Sequence, residues 1–502
     1  MSLDNLDILF IASEVDGLVK TGGLADVARA LPLALSSQGH NISVIVPFYR
    51  QIADKHEAPV VLEARLSVEG AEDIGYAVRE LSLDGIRVWA IDCHIYFDRP
   101  ELYAENNEGY ADNAERFAFF SAASLDLTKK LNFKPDVVHC NDWHTGLVPF
   151  LLKTRYREDD FYAGTKSLIS IHNAAFKGIY NRAEFKVIPE LVTGRYPSLE
   201  LDYHTLSMLK AGVSYADKIN AVSPNYALEL CTDLGSQGMG ADFQSRSEDL
   251  VGIVNGCDYE AWSPECDALL PVTYKANKQS MARGKKAARR ALCEEVSLPE
   301  ANVPVLGMVC RLTGQKGLHY LLPILDDLLL NDIQLIIVGT GDPKIAGKLH
   351  EIASRHPAKF AFIEAYNNRL AHWVEAASDI FLMPSEFEPC GLNQMYSMAY
   401  GTLPLVRKVG GLKDTVVDYD DSPQFATGFV YSSTEPLALL VKIQRALLLY
   451  SQNPQEFKRV QLNAMTIRFD WKESAQTYLE LYQSMLGDCQ VLSENKQGIG
   501  EN

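Results

Sequence analysis

Paired cysteines are missing from this chain. Its nine (Cys93, Cys140, Cys231, Cys257, Cys266, Cys293, Cys310, Cys390 and Cys489) are scattered, odd in number, and never spaced C-x-x-C. That argues against a zinc framework and a disulfide scaffold, and for a reducing compartment. Positive charge is also short: 47 Lys and Arg against 65 Asp and Glu leave a formal charge of −18. Such a field repels polyanions, so neither nucleic acid nor an anionic membrane is an expected partner. No apolar run approaches the roughly 20 residues that span a bilayer. The opening M-S-L-D-N-L-D carries neither a basic region nor a secretory apolar core. A cytoplasmic protein is expected, unless a targeting peptide has already been removed. Two phosphate-loop signatures, G-x-G-x-x-G and G-x-x-x-x-G-K-[ST], are absent as well. Without the first, and its downstream ribose-binding acid, a nicotinamide-dependent oxidoreductase is disfavoured.

What is present is an ordinary globular composition, 47% apolar and 22% charged, over 502 residues. A single core stops growing near roughly 250–300 residues, so more than one domain is expected. Short apolar runs alternate with helical segments, the pattern of α/β units around parallel sheets. The first half offers strands at 7–12, 42–47, 137–140, 167–172 and 218–222. A hairpin spans 76–91, turning at Asp84-Gly85. The helix after the first strand carries Pro32, which predicts a kink. The second half offers strands at 305–310, 334–338, 360–364, 380–384 and 403–406, after a polar stretch at 271–290 that reads as the first helix of a second domain. The boundary is placed near Asn255-Gly256: one Rossmann-like domain over 1–255, a second over 256–470, an amphipathic helix within 471–487, and a tail over 488–502 with little to bury. Parallel sheets bind ligands at the carboxyl ends of their strands, and two such crevices facing each other would form a cleft.

The residues of interest follow strands. Lys20-Thr21-Gly22-Gly23 turns the first strand into a helix, either as a phosphate cradle with free N–H groups or as a tight turn. Asp142, beside Trp143, could receive carbohydrate hydroxyls or simply cap a helix. His172-Asn173 follows S-L-I-S-I, where the imidazole could donate to or polarise a sugar oxygen, or bond a loop carbonyl. Arg311 and Lys316, five residues apart after a buried strand, suit a pyrophosphate clamp, with a solvated pair as the alternative. In I-F-L-M-P-S-E-F-E-P-C-G-L-N-Q, Pro389 keeps Glu388 out of the α region. Cys390-Gly391-Leu392 can then open a helix with free N–H groups. A carboxylate there accepts sugar hydroxyls, stabilises developing positive charge, or is merely favoured by the helix dipole.

These pieces occur in ordered company: S-E-V…K-T-G-G-L-A-D-V, D-N-A-E-R-F, H-C-N-D-W-H, I-H-N, A-D-K-I-N-A-V-S-P-N-Y-A, R-L-T-G-Q-K-G, F-E-P-C-G-L-N-Q and Y-G-T-L-P-L-V-R-K-V-G-G-L-K-D-T-V. From about residue 6 to 486 the chain resembles bacterial glycogen synthases and plant starch synthases. The resemblance implies an α/β protein of GT-B type, two Rossmann-like domains facing across a deep cleft, with the last helix crossing back to the first. It implies a retaining glucosyltransferase moving glucose from ADP-glucose to the non-reducing end of an α-1,4-glucan, with no metal or other cofactor. By motif, Arg311 and Lys316 would hold the donor phosphates, helped by Lys20, Gly22, Gly23, Cys390, Gly391 and Leu392. Glu388 and His172 would serve the reacting sugar, and Tyr366 would stack on the base. Asp142, Asn173 and Tyr110 would face the acceptor.

The chain departs from the family pattern at Asp16-Gly17, at Asn141 where His is common, at Lys177, at Cys257, and at Glu386 where Arg is frequent. None of these removes a residue assigned to chemistry. The competing readings are a related transferase using UDP-glucose or a small sugar acceptor, and a non-catalytic glucan-binding homologue.

Overall fold

The computed structural model describes residues 5–105, 108–365 and 367–487. They divide into two compact units. The first comprises residues up to 222, then 227–256, and the chain from 471 onward; the second comprises 223–226 and 257–470. The division falls between Gly256 and Cys257, and the four residues of S-P-N-Y count with the second unit.

In the first unit, β1 (Asp7–Ile11), β2 (Asn41–Pro47), β3 (Val60–Leu66), β4 (Ile74–Leu83) and β5 (Ile86–Asp92) build one side of a sheet. Two-residue strands β6 (Ala104–Glu105) and β7 (Glu108–Gly109) pair with each other. The sheet continues through β8 (Val137–Asn141) and β9 (Lys166–Ile171); β10 (Ile179–Asn181) and β11 (Thr205–Ser207) form a separate two-stranded antiparallel sheet, and β12 (Lys218–Ala221) and β13 (Leu250–Gly252) complete the first. Its order is β13-β12-β9-β8-β1-β2-β5-β4-β3. Pairing is parallel from β13 to β5 and antiparallel where β4 joins β5 and β3. The Asp84-Gly85 turn joins β4 to β5 as its sequence predicts, both residues having positive φ. β1 and β8 are almost wholly buried, which is why they read as unbroken apolar runs rather than alternating ones.

The helix Gly23–Ser37 runs through Pro32 without a break, unlike the kink its sequence suggests. It packs against the last helix, Trp471–Leu486, which belongs to the first unit although it follows the second in sequence. Two tyrosines of that last helix lock onto the sheet: the Tyr482 hydroxyl meets His139 Nδ1 at 2.7 Å, and Asn220 Nδ2 donates to the Tyr478 hydroxyl at 2.7 Å. All four side chains are buried, so each polar group needs the partner it has.

In the second unit, β14 (Val305–Val309), β15 (Gln334–Val338), β16 (Phe360–Ile363), β17 (Ile380–Met383), β18 (Leu403–Arg407) and β19 (Phe429–Tyr431) form a wholly parallel sheet ordered β16-β15-β14-β17-β18-β19. Its strand order reverses beside β14, so the loops after β14 and β17 open at a topological switch point, where such sheets bind ligands. The polar stretch forms the helix Lys278–Glu295, capped by Asn277 accepting from the Ser280 N–H at 2.9 Å. Among the described residues no helix is long and apolar enough to cross a membrane.

Candidate active site

The second unit supplies a cationic pocket. The loop after β14 carries Arg311 and Lys316; the loop after β17 carries Ser385, Glu388 and Gly391. Together they line a cavity of about 190 Å³ with Leu392 and Asn393. Glu388 is buried, and its Oε2 accepts from Lys316 Nζ at 2.6 Å and from Ser385 Oγ at 3.0 Å. Arg311 is exposed, and its side chain makes no hydrogen bond or ion pair among the described residues. The pocket therefore pairs a held lysine with an uncommitted arginine.

Two glycines bring these loops together. Gly317, at φ 71°, sits so close to β17's end that a Cβ would lie 1.8 Å from the Pro384 carbonyl oxygen. Gly410, at φ 40°, would put a Cβ 2.0 Å from the Glu388 carbonyl oxygen. No side chain fits at either place. Helix Asn393–Ala399 starts one residue after Leu392, later than the Cys390 start that the sequence suggests. The Gly391 and Leu392 N–H groups have no acceptor among the described residues, so both remain available.

Glu386, the charge reversal in this loop, points elsewhere. Its Oε2 accepts from the Tyr320 hydroxyl and lies 3.3 Å from His319 Nε2. Its main chain is held by the Gln315 carbonyl at 2.7 Å and by the Arg407 guanidinium. It does not line the cavity.

The first unit gathers Glu14, Asn141, Asp142, His172 and Asn173 at the ends of β1, β8 and β9. Asp142 does not act as a side-chain helix cap. Its φ of 53° turns the carboxylate toward the next strand's loop, where Oδ1 accepts from the N–H of His172 at 2.7 Å and of Asn173 at 3.3 Å. Burial pushes its carboxyl up to about 7, against those two N–H groups, which favour the anion. Burial pushes the His172 imidazole down to about 3, so it is neutral across ordinary pH.

Here the glycine turn departs from the phosphate-cradle reading. Glu14 is buried and already fills it: its carboxylate accepts from the Thr21 N–H, from Thr21 Oγ1 at 3.0 Å and from the Gly22 N–H at 3.2 Å. A carboxylate at the start of helix Gly23–Ser37 occupies the position a phosphate would want. Its desolvation raises the Glu14 carboxyl above the usual range. Gly23 remains open, while Lys20 is paired with Asp26 at 2.5 Å and Asp16 at 3.5 Å. Tyr110 is spent on packing: its ring lies 4.8 Å from the Arg99 guanidinium and 5.1 Å from that of Arg116, and its hydroxyl accepts from the Glu101 N–H at 3.3 Å. Tyr366 lies outside the described residues. Sequence reasoning assigned no role to Glu14, Ser385 or Arg407. Glu14 stood in the quoted S-E-V, but nothing local says that its carboxylate folds back onto residues seven and eight positions on.

The profile of the starch synthase catalytic domain matches residues 7–245, and that of the glycosyl transferases group 1 matches 294–460. With two parallel-sheet units and loop-borne sites, this defines the class: a glycosyltransferase enzyme built on two α/β domains. The glycogen synthase of Photobacterium profundum is 62% identical over 478 residues, 95% of this chain and 94% of that protein. The glycogen synthase of Aliivibrio fischeri (strain MJ11) is 58% identical over 487 residues, 97% of this chain and 100% of that one. The chain belongs to the glycogen synthase family. Among solved structures, the catalytic domain of Starch Synthase IV from Arabidopsis thaliana, bound to ADP and acarbose, matches with a TM-score of 0.86 at 28% identity, over 96% of this chain and 99% of that one.

Proposed function

We propose that this enzyme transfers glucose from ADP-glucose to the non-reducing end of an α-1,4-glucan, with retention of anomeric configuration. The observation that carries it is the pocket after β14 and β17, where Lys316 is held on Glu388 beside an unengaged Arg311. As glucose passes to the acceptor oxygen, the bond from its anomeric carbon to the donor phosphate breaks and the nucleoside diphosphate departs, so charge develops on phosphate oxygens, where preorganised cations act most strongly. Arg311 and Lys316 take that charge, and the open N–H groups of Gly391 and Leu392 add two neutral donors. Glu388 binds the donor glucose and stabilises positive charge growing at the anomeric carbon. His172, Asp142 and Asn173 bind sugar hydroxyls. The reading includes no metal, the two cations meeting the phosphate charge.

ADP as donor nucleotide is supported by the ligand of the starch synthase relative. The test is turnover of ADP-glucose and UDP-glucose side by side on glycogen, with and without EDTA. ADP-glucose is expected to give the higher kcat/KM, unaffected by EDTA. Preference for UDP-glucose would overturn the donor assignment, and loss of activity in EDTA the metal-free one.

A further inference from the structure

One residue of the first unit has a chemistry that its neighbours leave no choice about. Asn141, at the end of β8, is fully buried. Its main chain is tied to Thr145, whose Oγ1 accepts from the Asn141 N–H at 2.6 Å and donates to the Asn141 carbonyl at 2.9 Å. Its side-chain Nδ2 donates to the Ile11 carbonyl at 3.0 Å, at the end of β1. A main-chain carbonyl can only accept, so the amide must present its N–H to Ile11 and its oxygen to the other side. On that side stands His172, with Nε2 at 2.9 Å from Asn141 Oδ1. An amide oxygen also only accepts, so the proton of the neutral ring must sit on Nε2. Flipping the amide would set its oxygen against the Ile11 carbonyl, two buried acceptors facing each other, whichever tautomer the ring then took, so the bond to Ile11 alone excludes the flip.

We infer that Asn141 is a positioning residue that fixes the tautomer of His172, so that Nδ1 carries a lone pair and the ring serves the sugar as a hydrogen-bond acceptor. The ring cannot then donate to a sugar oxygen, which is the role its sequence context suggests first. Nδ1 has no partner among the described residues, and His172 is partly open to solvent. The main-chain N–H of His172 is already committed to Asp142. A hydroxyl that donates to Nδ1 is therefore the ligand this ring can take. The inference rests on the proposed placement of His172 at the sugar, but the tautomer does not.

The tautomer is read directly on the ligand-free, histidine-15N-labelled protein from long-range proton–nitrogen correlations. A pyrrole-type Nε2 and a pyridine-type Nδ1 are expected for His172; the reverse pattern overturns the inference. Asn141→Ala removes the acceptor. It is expected to mix the two ring forms and lower kcat about ten-fold with donor KM unchanged, the scale of one lost buried hydrogen bond. Asn141→Asp keeps an acceptor at Nε2 and is expected to retain the wild-type ring pattern. Asn141→His restores one donor and one acceptor and is expected to recover most of the lost kcat. Kinetics use whichever of ADP-glucose and UDP-glucose the wild type turns over, so failure of the donor assignment shows in the wild type alone. An Asn141→Ala protein that keeps the pure Nε2–H form, or loses activity only in proportion to its unfolded fraction, overturns the positioning role.

Discussion

The two units carry their functional loops in opposite states. In the second, the loops leave groups uncommitted: Arg311 has no partner among the described residues, and the Gly391 and Leu392 N–H groups have no acceptor there. In the first, most of the polar groups hold one another, and His172 Nδ1 is left open. Glu14 fills the Lys20–Gly23 turn, Asp142 takes two N–H groups, and Asn141 spans a carbonyl and an imidazole. The difference matches two kinds of ligand chemistry. A departing diphosphate needs strong, ready cations, whereas neutral hydroxyls need donors and acceptors held in fixed directions. The proposed phosphate site falls in the second unit, whose pocket carries two cations, whereas the first unit's turn is already filled by the Glu14 carboxyl.

The sharpest way to break that contrast is Glu388→Ala. Turnover is expected to fall by at least roughly a thousand-fold, as for loss of a principal electrostatic group. Glycogen binding, followed by affinity electrophoresis, should persist; retained turnover would remove Glu388 from the chemistry. Next come Lys316→Ala and Arg311→Ala. Each is expected to cost about a hundred-fold in kcat/KM for the donor. A kcat/KM within a few-fold of wild type for both would leave the second unit without its phosphate clamp.

The first unit is probed by stability rather than rate. Folding raises the Asp142 carboxyl from 3.8 to about 7, so the folded state holds a proton that the unfolded state releases between those values. Stability from this group is thus complete in acid and lost as pH rises through 7. Asp142→Asn removes the buried charge. Its unfolding free energy is expected to exceed the wild type's by on the order of 4 kcal/mol at pH 8. The gap should close by about pH 4 in chemical denaturation; a variant less stable than wild type at pH 8 contradicts this. The smallest effect is expected at Glu386→Arg. Because Glu386 lies on Tyr320 and His319 rather than in the cavity, donor kcat/KM should stay within about three-fold, the scale of an exposed ion pair. A larger change would mean that this carboxylate reaches the donor.

Much of this was legible without coordinates. The ten predicted strands all exist, with ends shifted by at most one residue, because buried parallel strands leave continuous apolar runs that end at polar or turn-forming residues. Arg311, Lys316 and Glu388 were legible as site candidates because they sit in the loops that follow such runs. Strand β3 and the two- and three-residue strands, β13 and β19 among them, were not. β3 is largely exposed, and the others are too short, so neither periodicity nor length marked them.

By itself the amino-acid sequence determined the α/β class, the two-domain plan, the positions of the buried parallel strands and the loops that follow them. These follow from burial patterns and turn residues, which act over a few positions. Only the tertiary structure decided which polar groups in those loops are spoken for. Glu14 closes the glycine turn, Tyr110 packs against two arginines, Glu386 turns away from the cavity, and Asn141 sets the proton on His172. Each of these outcomes depends on contacts that local sequence does not specify; the hydrogen-bonded ones close at about 3 Å, and hydrogen bonding is lost within an ångström of that.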